Sequence, residues 1–240
     1  RRAAVGVNSG TDALILALQA VGVRPGDEVI VPAISWSTTY DPLQQYGLKL
    51  RFVDIELETL NIDTGALKDA LTPQTRAIVA VSILGNPASL TAVRAFADEH
   101  GLYFLEDNCE SLDAELDGQK TGTFGDVGTF SFFFSHHIST GEGGMAVTDD
   151  DELNGLALAI RAHGWIKDVP EDSRLFEAGE DSFAEAYRFV IPGYNVRPQE
   201  INAAVGREQL KKLPAMTSQR RANLARFQEL FGDDERFIIP

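Results

Sequence analysis

The feature that most limits what this chain of 240 residues can fold into is a regular alternation of two kinds of segment. Runs dense in Val, Ile, Leu and Phe, namely "EVIVPA" (28–33), "LKLRFVDI" (48–55), "RAIVAVSIL" (76–84), "LYFLED" (102–107), "GTFSFF" (128–133) and "MAVTD" (145–149), are separated by stretches of helical period. Runs this continuous predict strands buried on both faces, and the stretches between them predict the crossovers of βαβ units. Asp12 to Val21 sets Leu14, Leu18 and Val21 on one stripe and stops at Gly22; Ser89 to His100 starts with a capping serine and stops at Gly101; Asp150 to His163 behaves likewise. The expected fold class is α/β, a mostly parallel sheet flanked by helices.

From Arg197 the alternation gives way to two helical segments, "PQEINAAVGREQLKKL" and "TSQRRANLARFQELF", separated by Pro214. A linker is expected at that break, dividing a large domain (1–213) from a connecting helix and the start of a smaller C-terminal domain (214–240). The acidic stretch 167–182, punctuated by Pro and Gly, predicts a long surface loop. The chain opens on Arg1 rather than Met and stops at "RFIIP" inside what reads as a strand, so a piece of a longer protein, short at both ends, is expected. With 44% hydrophobic residues, it is long enough for one well-buried core.

A net charge of −15, with no run of Lys or Arg on a predicted face, lacks the footprint that binding a phosphate backbone needs, so nucleic acid is excluded as an expected partner. Cys109 is the single cysteine, which allows no intrachain disulfide and fits a reducing cytoplasm. No apolar stretch approaches the roughly 20 residues needed to cross a bilayer, and no signal segment leads the chain, so no membrane partner is expected.

Several residues are candidates for chemistry, each beside a plainer use. Ser9, Gly10 and Thr11 precede a helix, where free N–H groups favour a phosphate, although Ser and Thr also cap helices generally. Asp107 closes a strand at the sheet edge where ligands sit, as a carboxylate for a ring nitrogen or as the strand leaving the core. Trp36 stands past a strand end, either a core residue or a flat platform for a heteroaromatic ring. Cys109 is expected to pack as a small hydrophobe. His136 and His137 lie between aromatics and "GEGG"; adjacent histidines diverge and no further ligand accompanies them, so no metal is expected.

In order, "SGT", "PAISW", "VDIELETLNID", "LGNPASL", "EDNCES", "GTFSFF…HH…TGEGG" and "GYNVRPQEINAAVG" resemble the DegT-type sugar aminotransferases, from about Val7 to Leu213. The resemblance implies the fold-type-I architecture of pyridoxal-phosphate transferases, with a further N-terminal segment and a smaller C-terminal domain. It further implies that Ser9, Gly10 and Thr11 hold the cofactor phosphate with Ser131, that Trp36 stacks on the pyridine ring, and that Asp107 keeps the ring nitrogen protonated. Asn195 would reach the phosphate of a neighbouring subunit, making the site that of a homodimer. Glu110 stands where these enzymes often carry an amide and is counted with the cofactor-binding candidates.

Where the aminotransferases place the lysine that tethers the cofactor, five residues after Ser131, this chain has His136, and no lysine lies between Lys120 and Lys167. An imidazole moves protons near neutrality but cannot replace a primary amine as the tether. In this the chain is similar to the family's 3-dehydratases of deoxysugar synthesis, which use pyridoxamine phosphate on a nucleotide-linked 4-keto sugar. Proton removal from the cofactor's exocyclic carbon there leads to loss of the C3 hydroxyl as water, and His136 is the implied base. The iron–sulfur branch needs further cysteines after "HGW", which are missing here, so no cluster is expected. The implied branch acts on a GDP-linked 4-keto-6-deoxy sugar and restores its amine cofactor from L-glutamate. Two alternatives are an aminotransferase with a histidine relay and a non-catalytic homologue that binds cofactor.

Overall fold

The computed structural model describes residues 1–171, 173–175 and 181–239. In chain order its elements are β1 (Ala3–Val7), α1 (Gly10–Ala20), β2 (Glu28–Pro32), α2 (Ser37–Gln45), β3 (Lys49–Val53), α3 (Leu67–Ala70), β4 (Thr75–Val81), α4 (Leu90–His100) and β5 (Tyr103–Asp107). A short hairpin, β6 (Glu115–Leu116) and β7 (Gln119–Lys120), leads to β8 (Val127–Ser131) and β9 (Gly144–Thr148). Then come α5 (Asp151–Arg161), α6 (Ser182–Ala186), α7 (Glu200–Leu210) and α8 (Leu213–Phe231).

Seven strands form one sheet in the order β1-β9-β8-β5-β4-β2-β3. β2 pairs in parallel with β3 and β4, β4 with β5, and β5 with β8. Only β9 runs the other way, antiparallel to both β8 and β1. The alternation of side chains along each strand divides the core into two layers. Val29, Val31, Ala77, Val79 and Leu105 face one side and pack with Leu14, Leu16 and Leu18 of α1 and with Leu153 and Ile160 of α5. Ile30, Ile78, Ala80 and Phe104 face the other, against Leu67, Leu90, Val93 and Ala97 of α3 and α4. Each fully buried Leu or Ile contributes about 1.5–3 kcal/mol by leaving water.

The expected strands form, and the differences have physical reasons. β3 is not buried on both faces: it ends the sheet, and Phe52 is 54% exposed. β4 stops at Val81, because Leu84 adopts a left-handed backbone (φ 54°) that no strand accommodates. β1 and α2 had no clear signal, α2 being polar with Pro42 inside it. The first helix starts earlier than expected, at Gly10, and buries most of its circumference rather than one stripe. Ser89 sits at the start of α4 without a capping bond from its side chain, whereas Asp150 caps α5 by accepting from the N–H groups of Glu152 and Leu153.

Pro214 does not lie in a linker; it occupies the first turn of α8, and only Lys211 and Lys212 separate that helix from α7. Proline is accepted there because first-turn N–H groups have no intrahelical partner. The stretch 167–182 is not all surface, since Val169 and Ser173 are buried and Gly155 of α5 leaves room for the Ser173 hydroxyl. Residues 172 and 176–180 of that stretch lie outside the described residues. Phe237 to Ile239 form no strand; Phe237 instead packs its ring 5.2 Å from that of Phe231.

Candidate active site

Strands that run in parallel deliver their carboxyl ends to one edge, and that edge collects the candidate residues. β1 ends at the Ser9–Gly10 turn, β2 leads to Trp36, β5 ends on Asp107, and β8 ends on Ser131 and leads to His136. Because β9 is antiparallel, its first residue, Gly144, shares the edge.

The approach of these ends is close enough to require glycine at two places. A Cβ on Gly10 would stand 2.6 Å from Cβ of Ser131 and 3.1 Å from Sγ of Cys109, so β1, β5 and β8 meet there. A Cβ on Gly144 would stand 2.0 Å from the Ser9 carbonyl oxygen. Ser9 caps α1: its hydroxyl accepts from Asp12 N (3.1 Å) and donates to the Asp12 carboxylate (2.8 Å). Thr11 lies in the first turn of the same helix, where N–H groups point outward without helical partners.

Asp107 is buried (8% exposed), and its carboxylate accepts from the Thr39 hydroxyl (2.9 Å) and from Cys109 N (3.1 Å). Thr39, on α2, shares its hydroxyl with that of Ser35 (2.8 Å). Among the described residues no cation pairs with Asp107, so this carboxylate is held at the edge by neutral donors alone. Thr39 escaped sequence reasoning; a threonine in a polar segment carries no signal of the carboxylate it will meet. Burial pushes the Cys109 thiol well above its usual range, and the neighbouring Asp107 and Glu110 push the same way, so it remains a protonated packing group.

Glu110 is bound to the rim: its Oε2 accepts from Leu84 N (2.6 Å) and fixes the left-handed turn that leaves Leu84 71% exposed. Trp36 is equally exposed, at 71%, which rules out the core reading, and Ile34 and Phe134 extend this apolar rim. His136 is half-buried; burial lowers its pKa, while the carboxylates of Glu110 and Asp107 act in the opposite sense. His137 is also lowered by burial, then by Arg220 of α8 and by His136, against Asp113. The two histidines thus answer to different surroundings, carboxylates of the edge for one and the α8 side for the other. The lysines flanking this region are engaged elsewhere, Lys120 with Asp113 and Glu115, and Lys167 5.0 Å from the Trp165 ring centre.

Asn195 is not brought into this group. It is exposed, accepts from Arg197 (3.1 Å), and lines a cavity of about 1000 Å³ between α7 and the loop 141–144, in which neither Asp107 nor His136 takes part. Among the described residues no group of three or more His, Cys, Asp or Glu could hold a metal ion, and no helix is long and apolar enough to cross a membrane.

Sheet order, crossovers and this edge define an α/β domain of the pyridoxal-phosphate-dependent aminotransferase fold. The chain belongs to the DegT/DnrJ/EryC1/StrS aminotransferase family, which it matches over residues 1–240. It is 52% identical over 233 residues to the GDP-4-keto-6-deoxy-D-mannose 3-dehydratase of Yersinia pseudotuberculosis, covering 94% of this chain and 59% of that one. The solved structure of the E. coli GDP-4-keto-6-deoxy-D-mannose-3-dehydratase with bound hydrated PLP is 48% identical and superposes with a TM-score of 0.91, covering 97% of this chain and 62% of that one. A GDP-4-keto-6-deoxymannose-3-dehydratase with a trapped PLP–glutamate geminal diamine is again 48% identical, with a TM-score of 0.92 over 98% of this chain and 62% of that one. The chain therefore spans about three fifths of the length of the relatives it matches.

Proposed function

We propose that this chain forms the cofactor-binding domain of a pyridoxamine-phosphate-dependent 3-dehydratase. The enzyme removes the C3 hydroxyl of a nucleotide-linked 4-keto-6-deoxy sugar, GDP-4-keto-6-deoxy-D-mannose, and L-glutamate restores its amine cofactor. The observation that carries this reading is a half-buried histidine, His136, under the influence of the Asp107 and Glu110 carboxylates, in a segment with no lysine from 121 to 166. The similarity to the two dehydratases supports the choice of substrate.

The residues present fit the cofactor. The outward N–H groups of the first turn of α1 suit a phosphate, and the close approach at Gly10 brings the Ser131 side chain beside them. A buried carboxylate held only by neutral donors suits a protonated ring nitrogen, which supports that role for Asp107. Trp36 offers an exposed aromatic face, and Glu110 borders the same edge. When bound, pyridoxamine phosphate would supply an amine to engage the sugar carbonyl and a ring that spreads negative charge. His136, kept neutral to lower pH by burial, moves the proton at the cofactor's exocyclic carbon. Asp107 holds the proton on the ring nitrogen throughout.

The working form we propose is a cytoplasmic homodimer serving synthesis of a 3,6-dideoxy sugar of the colitose type for a lipopolysaccharide O-antigen. Asn195 faces the phosphate site of the second copy, and residues 214–240 lead into a smaller domain. Exposed Ile201, Val205 and Leu210 on α7, a helix with no buried residue, support a covering partner. The test is product mass spectrometry with full-length protein, GDP-4-keto-6-deoxymannose and glutamate. Loss of oxygen at C3 is expected; gain of nitrogen would make it an aminotransferase, and cofactor binding without turnover a non-catalytic homologue.

A further inference from the structure

The loop that carries His136 joins β8 to β9 and closes on itself: Thr140 N donates to Phe132 O (2.9 Å), and Phe132 N donates to Gly143 O (2.9 Å). Within it, His136 N donates to Phe133 O (3.0 Å). From outside, one side chain grips the closing end. Asn202 of α7 donates from its single Nδ2 to Thr140 O (2.7 Å) and to Glu142 O (2.9 Å). One turn further along α7, a Cβ on Gly206 would stand 2.9 Å from the Thr140 methyl, so the helix lies directly against the loop. The Thr140 hydroxyl also donates to Glu142 O (2.6 Å), drawing the two gripped carbonyls together.

We propose that Asn202 is a positioning residue for His136, acting as a clamp that α7 places on the loop. Two properties of the site require this chemistry. The Thr140 hydroxyl reaches Glu142 O but not its own carbonyl, whereas a side-chain NH₂ with two hydrogens on one nitrogen meets both carbonyls at once. And α7 buries none of its own residues, so the grip is not a by-product of a packed apolar interface. A base must hold its place within a fraction of an ångström, and a displacement of about 1 Å costs up to roughly 100-fold in rate. This inference rests on the reading of His136 as the base.

The test compares full-length holoenzyme with Asn202→Ala, Asn202→Asp and Asn202→Gln. In Asn202→Ala, kcat for water elimination is expected to fall about 10- to 100-fold, with KM for sugar and glutamate within about twofold. Asn202→Asp sets acceptor oxygens against two carbonyl oxygens and should lose more, while the longer amide of Asn202→Gln recovers part. In the protein without cofactor, amide exchange of the loop residues 132–143 should quicken in Asn202→Ala, and that of the sheet should not. Faster exchange with kcat unchanged overturns the clamp, as does loss of kcat together with a fall in thermal stability and a rise in both KM values. His136→Asn, assayed alongside, keeps the two ideas apart. Retained elimination there removes His136 from the reaction, whereas its loss beside unimpaired Asn202→Ala defeats the clamp alone.

Discussion

Two helices of eleven residues border the candidate site, and they are held in opposite ways. α1 buries Ala13, Leu14, Leu16, Ala17, Leu18 and Ala20 beneath the Ser9–Gly10 turn. α7 buries nothing, presents Ile201, Val205 and Leu210 to solvent, and reaches the His136 loop through Asn202. The contrast separates binding from chemistry. The proposed phosphate cradle is built on the chain's own core and cannot shift without breaking it. The proposed base, His136, sits on a loop whose outer support is polar and local, the kind of region that opens with little loss of free energy.

The largest effect that would sharpen this contrast is at the loop. His136→Asn should reduce elimination by about 10²–10⁴-fold, the range for losing a general base, while cofactor binding measured by absorbance persists because Gly10, Ser131 and Asp107 are untouched. Loss of cofactor along with activity would mean that loop and cradle are one unit. Next comes stability. Leu16→Ala, at a fully buried position of α1, should cost about 2–5 kcal/mol in urea unfolding, independent of protein concentration. Val205→Ala should cost under about 0.5 kcal/mol within the protomer. Any further loss at Val205 should depend on concentration, as for a residue covered by a second copy. An equal, concentration-independent loss at both positions would place α7 in the core and dissolve the distinction. Smaller than the Leu16→Ala loss is that of Gly10→Ala: the added methyl collides with Ser131, at a cost of about 1–3 kcal/mol, and should weaken cofactor affinity in a titration.

What the sequence reveals divides along the same line. Strands such as "EVIVPA" and "LYFLED" are legible because Val29 and Val31 serve one core layer, Ile30 the other, and continuous apolar sequence is how a strand covered on both faces must look. Asp107 is legible because it marks the end of such a strand, Ser9 to Thr11 because they precede a helix, and Ser131 because it lies in the resemblance. The supports of the site are not. Thr39 meets Asp107 across 68 residues and Asn202 meets Thr140 across 62, and nothing local in "STTYD" or "EINAAVG" announces a distant partner. Edge effects mislead in the same way: β3 carries the composition of an inner strand, and only the pairing order puts it outermost. Pro214 reads as a break because proline stops a helix everywhere except in its first turn, where it stands.

The finest test of the two regions concerns the charge between them, because Glu110 is tied to the rim through Leu84 yet acts on His136. Burial lowers the pKa of His136 below the ordinary histidine value of about 6.5, and Glu110, then Asp107, raise it. A base works in its neutral form, so the acid limb of kcat should lie below the ordinary histidine range. The same depression favours the unfolded state as a proton acceptor, so the stability attached to His136 is present above about pH 6.5 and falls as the pH drops toward the lowered value. Glu110→Gln keeps an oxygen for Leu84 N and removes the charge. With the raising influence gone, the neutral imidazole survives to still lower pH, and the acid limb should move down rather than up. A limb that stays in place would show that the rim carboxylate supports the Leu84 turn alone, and that the loop carrying His136 is electrostatically independent of the edge it faces.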